Sequence, residues 1–346
     1  VTAPGRQPCA PESGLPQAEL HCHLEGALPP FLARRFAARN RLALPEELIT
    51  EDGAGYRYRN FSEFLQNFDR VSATLCQTRD YRDLIEYYLL RAAQQGTGYV
   101  ELFISPTHAA AKGIGYEALL ESLADGIARA QGAGGADCRL IVTCVRHLGP
   151  DQALSVAERM LASPHPLVVG FGMGGNERQG SCRAFRPAFA KVDAAGLAST
   201  VHAGEMAGPE SVRDALDNLP VSRLGHGVRS VEDPQLLAEL AHKGIHLEVC
   251  PTSNIALNLY PDLDHHPLPR LLEAGCRLSL NSDDPPFFNS SVAGEYAQAA
   301  RVFGLDRAEL MQITRWALED SFAPSQIKAR LLQQVSKAAD PGKADP

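Results

Sequence analysis

No stretch of this 346-residue chain approaches the roughly 18 consecutive apolar residues of a membrane-spanning helix, so a transmembrane anchor is not expected. Blocks of like charge are also missing. The net charge of -8 arises from 41 acidic and 33 basic residues scattered along the chain, which argues against nucleic acid or any other extended polyphosphate as partner. The eight cysteines, at 9, 22, 76, 138, 144, 182, 250 and 276, form no Cys-x-x-Cys pair and several lie inside apolar runs, so they read as reduced and mostly buried thiols. Val1 to Gln17 carries Pro, Gly and Glu where a secretory signal would have a basic end and an apolar run, and the expected location is therefore the cytoplasm. What is present, 45% apolar and 21% charged residues, is ordinary for a globular protein and excludes a fibre or a disordered tail.

Short apolar runs rich in β-branched residues recur, each followed by a segment of helical periodicity. The strand candidates are Ala18–His23, Tyr99–Ile104, Leu140–Val145, Val168–Phe171, Ser199–His202, Arg223–His226, Ile245–Val249 and Arg277–Leu280. Helical readings between them include Asp80–Gln95, Tyr116–Ala130, Pro150–Leu161, Ala184–Ala194, Pro209–Asn218, Pro234–His242 and Leu268–Ala274. Eight such units predict parallel strands in one closed (β/α)₈ barrel, since an open sheet would leave two edges to protect. The reading is a single domain over residues 1–346, ordered from about 15 to 336, with a helical insertion at 29–78 and a polar tail from Lys337. Three helical segments are expected after the eighth strand. In the insertion, Phe61, Phe64, Leu65 and Phe68 recur at helical spacing, either as core or as a lid whose apolar face covers a ligand.

Chemistry in such a barrel sits at the carboxyl ends of the strands, and polar residues collect there. His21 and His23, two apart on a strand, face the same way and can share one metal ion. With His202 and Asp283 at other strand ends they make a three-His, one-carboxylate set that suits zinc with room for water, and that suits magnesium poorly. His226, between glycines, can accept or orient a water proton, or act as a further nitrogen ligand. Glu205 follows Ala203-Gly204 and can face a substrate, the bland alternative being a solvated loop carboxylate. Of Asp283 and Asp284, one reads as ligand and the other as hydrogen-bond acceptor. Glu248 can orient His226 or join an ion pair inside the barrel. His147 lies just beyond the third strand and can line the pocket. His108, His165, His242, His246, His265 and His266 read as structural or solvated. The run from Gly170 to Glu177 reads as a loop after the fourth strand that packs its backbone against a flat ligand, because it lacks a phosphate-loop ending.

Taken in order, Glu19-Leu-His-Cys-His-Leu-Glu-Gly26, Ser105-Pro106, Gly174-Gly175-Asn-Glu177, His202-Ala-Gly-Glu205, Gly225-His226-Gly227, Glu248-Val-Cys-Pro-Thr-Ser-Asn254 and Ser279-Leu-Asn-Ser-Asp-Asp-Pro285 resemble the adenosine deaminase family, zinc enzymes of the amidohydrolase superfamily. The resemblance runs from Glu19 to about Phe322. It implies one Zn²⁺ held by His21, His23, His202 and Asp283, and a small-molecule purine substrate. It also implies Glu205 as proton donor to N1, His226 assisting the attacking water, Asp284 on N7 and the Gly175 backbone on N3. Ser105, His147, Phe61 and Phe64 are expected to line the substrate pocket.

Two departures bear on the substrate. Relatives acting on adenosine usually carry Asp where this chain has Glu25, and the loop reads Gly172-Met-Gly174 where an acidic residue and an alanine are common. The Phe61–Leu75 segment looks more like the adenosine branch, so the expected reaction is adenosine to inosine. Adenine and 6-aminodeoxyfutalosine are the alternatives. A cytidine-type zinc deaminase would need Pro-Cys-x-x-Cys, and a two-metal hydrolase on this barrel a bridging Lys at a strand end; neither is found. A purine-binding barrel without turnover is the non-enzymatic alternative. Oligomeric state is not legible in the sequence.

Overall fold

The computed structural model describes residues 14–339. Eight strands, β1 (Gln17–His23), β2 (Thr97–Ile104), β3 (Asp137–Val145), β4 (Val168–Gly174), β5 (Ala198–Ala203), β6 (Arg223–His226), β7 (His246–Val249) and β8 (Leu278–Leu280), lie side by side in sequence order. All seven adjacent pairs are parallel. The two ends of the sheet meet at a bridge between Cys22 and Asp283. There His23 N–H donates to the Asp283 carbonyl at 3.0 Å and Asp283 N–H to the His21 carbonyl at 3.1 Å. The expected (β/α)₈ barrel is therefore present, and its seam is closed by the very segments that carry His21, His23 and Asp283.

The strands are buried on both faces, which is why they read as near-continuous apolar runs rather than alternating ones. Sequence reasoning ends β4 at Phe171, but it continues to Gly174. Low strand propensity is overridden here by packing. A Cβ on Gly172 would come within 3.2 Å of Ile141, Phe103 and Thr143, and one on Gly174 within 3.4 Å of the His202 and His23 rings.

The insertion after β1 holds α1 (Pro30–Asn40) and α2 (Phe61–Ser72), followed by the crossover helix α3 (Thr78–Gln94); α4 (Pro106–Ala110) follows β2. Asn60 caps α2 by accepting from Glu63 N–H at 3.0 Å, and Gln77 with Asp80 forms a capping box on α3. After β8 come four helices rather than three, Pro285–Phe288, Val292–Val302, Arg307–Asp320 and Ser325–Ala339. The extra one is a single turn opened by Pro285-Pro286. Lys337 belongs to the last helix rather than to a disordered tail, because Leu331 and Val335 bury that helix on the core; residues 340–346 lie outside the described residues. Cys22, Cys138, Cys144, Cys182, Cys250 and Cys276 are buried free thiols and Cys76 is half-buried, while Cys9 lies outside the described residues. No described helix is long and apolar enough to cross a membrane.

The barrel floor is polar and fully enclosed. Arg223 donates to Glu101 Oε2 at 2.6 Å and to Glu248 Oε1 at 2.7 Å, with its guanidinium 3.6 Å from the Phe322 ring centre. Glu101 also accepts from the Tyr99 hydroxyl at 2.8 Å and from Phe322 N–H at 2.6 Å.

Candidate active site

At the opposite end, His21, His23, His202 and Asp283 bring one ligand atom each within 4.8 Å of one another. His23 Nε2 lies 3.2 Å from His202 Nε2, and Asp283 Oδ1 is 3.5 Å from Nε2 of both His21 and His23. The outer nitrogens decide the tautomers. His21 Nδ1–H donates to Glu248 Oε2 at 2.7 Å and His202 Nδ1–H to the Met173 carbonyl at 3.0 Å, so each presents its Nε2 lone pair inward. Burial opposes charge on His21, yet the Asp283 carboxylate 3.5 Å from its Nε2 and the bond from its other nitrogen to Glu248 outweigh that and raise its pKa to about 9. Glu248 is buried as well, but Arg223 and His21 bring it down to about 2. Asp283 and Glu248 thus favour positive charge beside them, while burial keeps His23 and His202 neutral. Imidazole lone pairs converging on a carboxylate, with His21 Nε2 buried and lacking any hydrogen-bond partner among the described residues, fit a metal ion of the zinc type. Gly225 and Gly174 make the space, since a Cβ on Gly225 would stand 2.9 Å from the His21 ring and one on Gly174 3.3 Å from the His202 ring. Glu248 therefore joins the ion pair inside the barrel and orients His21, not His226; only β8 separates β7 from β1, and the Glu248 side chain reaches that ring directly.

His226 stands beside this cluster with a backbone φ of 61°, in the left-handed region that β-carbon residues seldom occupy, and Asp283 does likewise at 65°. His226 Nε2 is 3.6 Å from Glu205 Oε1 and 4.0 Å from Asp283 Oδ2. Glu205 is aimed by Glu177, which sequence reasoning quoted only as part of a motif. The buried Glu177 carboxylate accepts from Gly204 N–H at 2.5 Å, Glu205 N–H at 3.1 Å, Ala207 N–H at 2.9 Å and the Ser211 hydroxyl. Burial, reinforced by the Asp283 and Glu177 charges, pushes the Glu205 pKa well above the carboxylate range. Asp284 is displaced the same way by burial, Asp283, Glu205 and Glu25, and its Oδ1 has no hydrogen-bond partner among the described residues.

These groups open on a cavity of about 90 Å³ lined by Glu25, Ser105, His147, Gly175, Glu205, His226 and Asp284. Phe61, Phe64, Leu65 and Phe68 of α2 form one wall, so the apolar stripe of the insertion faces the cavity as well as the core. Ser105 N–H donates to Glu25 Oε1 at 3.0 Å, and the Ser105 hydroxyl is buried without a partner among the described residues. His147 Nδ1 accepts from Asn176 N–H at 3.3 Å. His108, read as structural or solvated, instead lines the cavity and pairs with Asp69 of α2 at 3.2 Å. Its signal was the one-turn helix α4 that Ser105-Pro106 opens toward the pocket.

A family model described as adenosine deaminase matches residues 16–338. A protein named adenine deaminase from Sinorhizobium medicae is 46% identical over 318 residues, 92% of this chain and 97% of that one. Another of the same name from Agrobacterium fabrum is 45% identical over 326 residues, 94% of this chain and 99% of that one. Among solved structures, an adenine deaminase from Arthrobacter aurescens is similar at a TM-score of 0.86 and 30% identity, covering 94% of this chain and 99% of its own. An amidohydrolase from Burkholderia ambifaria with bound Zn gives a TM-score of 0.84 at 27% identity, covering 96% and 93%.

Proposed function

Because the chain belongs to the adenosine deaminase family, we propose that it is a zinc-dependent deaminase that converts adenine and water to hypoxanthine and ammonia. The sequence-based preference for adenosine yields here to its alternative. Glu25 supports that choice: its carboxylate lines a cavity of about 90 Å³ with one oxygen held by Ser105 N–H, and in this reading it takes the space that a ribose would need. The relatives named adenine deaminase support the same reading.

His21, His23, His202 and Asp283 are the residues that would hold zinc, which when bound supplies Lewis acidity and so a nucleophile from water near neutral pH. Glu205, kept protonated by burial and its carboxylate neighbours, donates to N1 as water adds at C6. Asp284, protonated for the same reason, donates to N7, and the Gly175 backbone meets N3. Glu25 keeps an acceptor oxygen for N9–H, the atom that a sugar would replace. His226 beside the reacting oxygen orients it, and the amino group takes the remaining proton of the added water and leaves as ammonia as the C6 carbonyl forms.

Purified protein assayed on adenine, adenosine, deoxyadenosine and 6-aminodeoxyfutalosine is expected to release ammonia from adenine with a kcat/KM at least about tenfold above the others. Elemental analysis is expected to find about one zinc per chain. Equal or better turnover of a nucleoside overturns adenine as substrate, and active protein without a transition metal overturns the metal assignment.

A further inference from the structure

Three buried side chains on and behind the mouth form a chain of hydrogen bonds whose polarity is set at one end. Leu268 N–H, which can only donate, points at His266 Nδ1 at 3.2 Å. His266 is packed against Tyr260 and Phe303, with ring centres 5.3 and 5.9 Å away, and burial pushes its pKa down to about 3. A neutral ring that accepts at Nδ1 carries its proton on Nε2. That proton faces Asn254 Oδ1 at 3.1 Å, which fixes the amide orientation and turns its NH₂ group to His226 Nδ1 at 3.3 Å. His226 Nδ1 therefore accepts, and its own proton sits on Nε2, the nitrogen that faces Glu205 and Asp283.

We propose that His266 and Asn254 are positioning residues that lock His226 in the Nε2–H tautomer, so that this ring meets the reacting oxygen as a hydrogen-bond donor and not as a base. The distances of 3.6 and 4.0 Å from His226 Nε2 to Glu205 and Asp283 leave space for an oxygen among the three groups. A fixed N–H donor in a water-poor site stabilises charge that grows on such an oxygen. His266 itself touches no substrate; its contribution passes wholly through the Asn254 amide, which would otherwise be free to turn over and reverse the tautomer. This inference rests on the deaminase reading for its consequence, but not for the tautomer itself.

The test is nitrogen-15 NMR of the zinc-loaded protein labelled in histidine, with His226→Ala used to identify the His226 signals. Nδ1 in the unprotonated range and Nε2 in the protonated range are expected; the reverse pattern overturns the proposal. Asn254→Asp supplies a carboxylate that can only accept, and is expected to move the proton to Nδ1 and lower kcat about 10²-fold. Zinc content should be retained, with KM changing less than about threefold. A kcat within about twofold of the parent overturns the role. His266→Gln, which keeps a donor for Asn254 but not the anchored ring, is expected to give a mixed tautomer and a smaller loss, and an unmixed parental pattern counts against the relay. Should no 6-aminopurine be turned over, the function fails while the NMR result still decides the tautomer.

Discussion

The two ends of one barrel treat buried charge in opposite ways. At the floor, Arg223 lies between Glu101 and Glu248, capped by the Phe322 ring, and His246 is bonded to Asp320 at 2.8 Å and Ser279 at 3.0 Å. Opposite charges meet and Glu248 is held ionised. At the mouth, Glu205, Asp284, Glu25 and Asp283 gather around one cavity; burial pushes the first three upward, reinforced at Glu205 and Asp284 by neighbouring carboxylates, and two residues are held at left-handed backbone angles. Groups at the floor pair opposite charges, whereas the carboxyls at the mouth gather without an Arg or Lys among the described residues to pair them. The contrast separates charge that supports the fold from charge set aside for chemistry.

Breaking the floor should have the largest effect on stability. Arg223→Met removes the cation from two buried carboxylates, and breaking one partner of such a network costs about 3 to 5 kcal/mol. Urea unfolding is expected to show that loss as a lower midpoint with an unchanged slope. Because Glu248 also orients His21, metal affinity should fall in the same variant. A midpoint unchanged from the parent would mean that the floor is not what ties the strands together.

Substitution at the mouth should do the converse. Glu205→Gln removes a carboxyl crowded by Asp283 and Glu177, so stability should hold or rise while kcat falls about 10²-fold or more, the scale of a lost general acid. The pH profile gives the sign. Glu205 acts while protonated and its pKa is raised, so parental kcat should be full below that pKa and decline as pH rises through it. The variant should lack that decline. A parent whose rate instead rises across the same range contradicts the acid role.

The contrast also marks what was legible in the sequence. Strand positions were readable because short apolar runs alternate with segments of helical periodicity, and His21, His23, His202 and Asp283 stood out because the carboxyl ends of barrel strands share one mouth. Glu248 was visible as a barrel residue, but its partner was not, because β1 and β7 are 227 residues apart between His21 and Glu248 and only the closed barrel brings them to 2.7 Å. Glu177, Asn254 and His266 were hidden for a related reason. Each acts through the backbone or ring of another residue, and no local periodicity encodes that contact. β4 was under-read because Gly172 leaves space for Ile141, Phe103 and Thr143 and Gly174 for the His202 and His23 rings, a packing demand that strand propensity does not encode.

The smallest effect expected is also the one that tests how the mouth chooses its substrate. Glu25 is buried, with its acid form favoured by burial, and one oxygen is held by Ser105 N–H. Glu25→Asp withdraws the carboxylate by one methylene, weakening that bond and enlarging the cavity beside Phe64 and Phe68 of α2. Adenine should lose the acceptor for N9–H, whereas adenosine should gain room for its sugar. A methylene in a closed pocket is worth about 1 to 3 kcal/mol, so the adenine-to-adenosine ratio of kcat/KM should fall roughly tenfold or more. Because the floor and the metal cluster are untouched, zinc content and the urea midpoint should stay at parental values. An unchanged ratio would remove Glu25 from substrate choice and leave the α2 wall, latched by Asp69 to His108, as the group that admits the base and excludes the nucleoside.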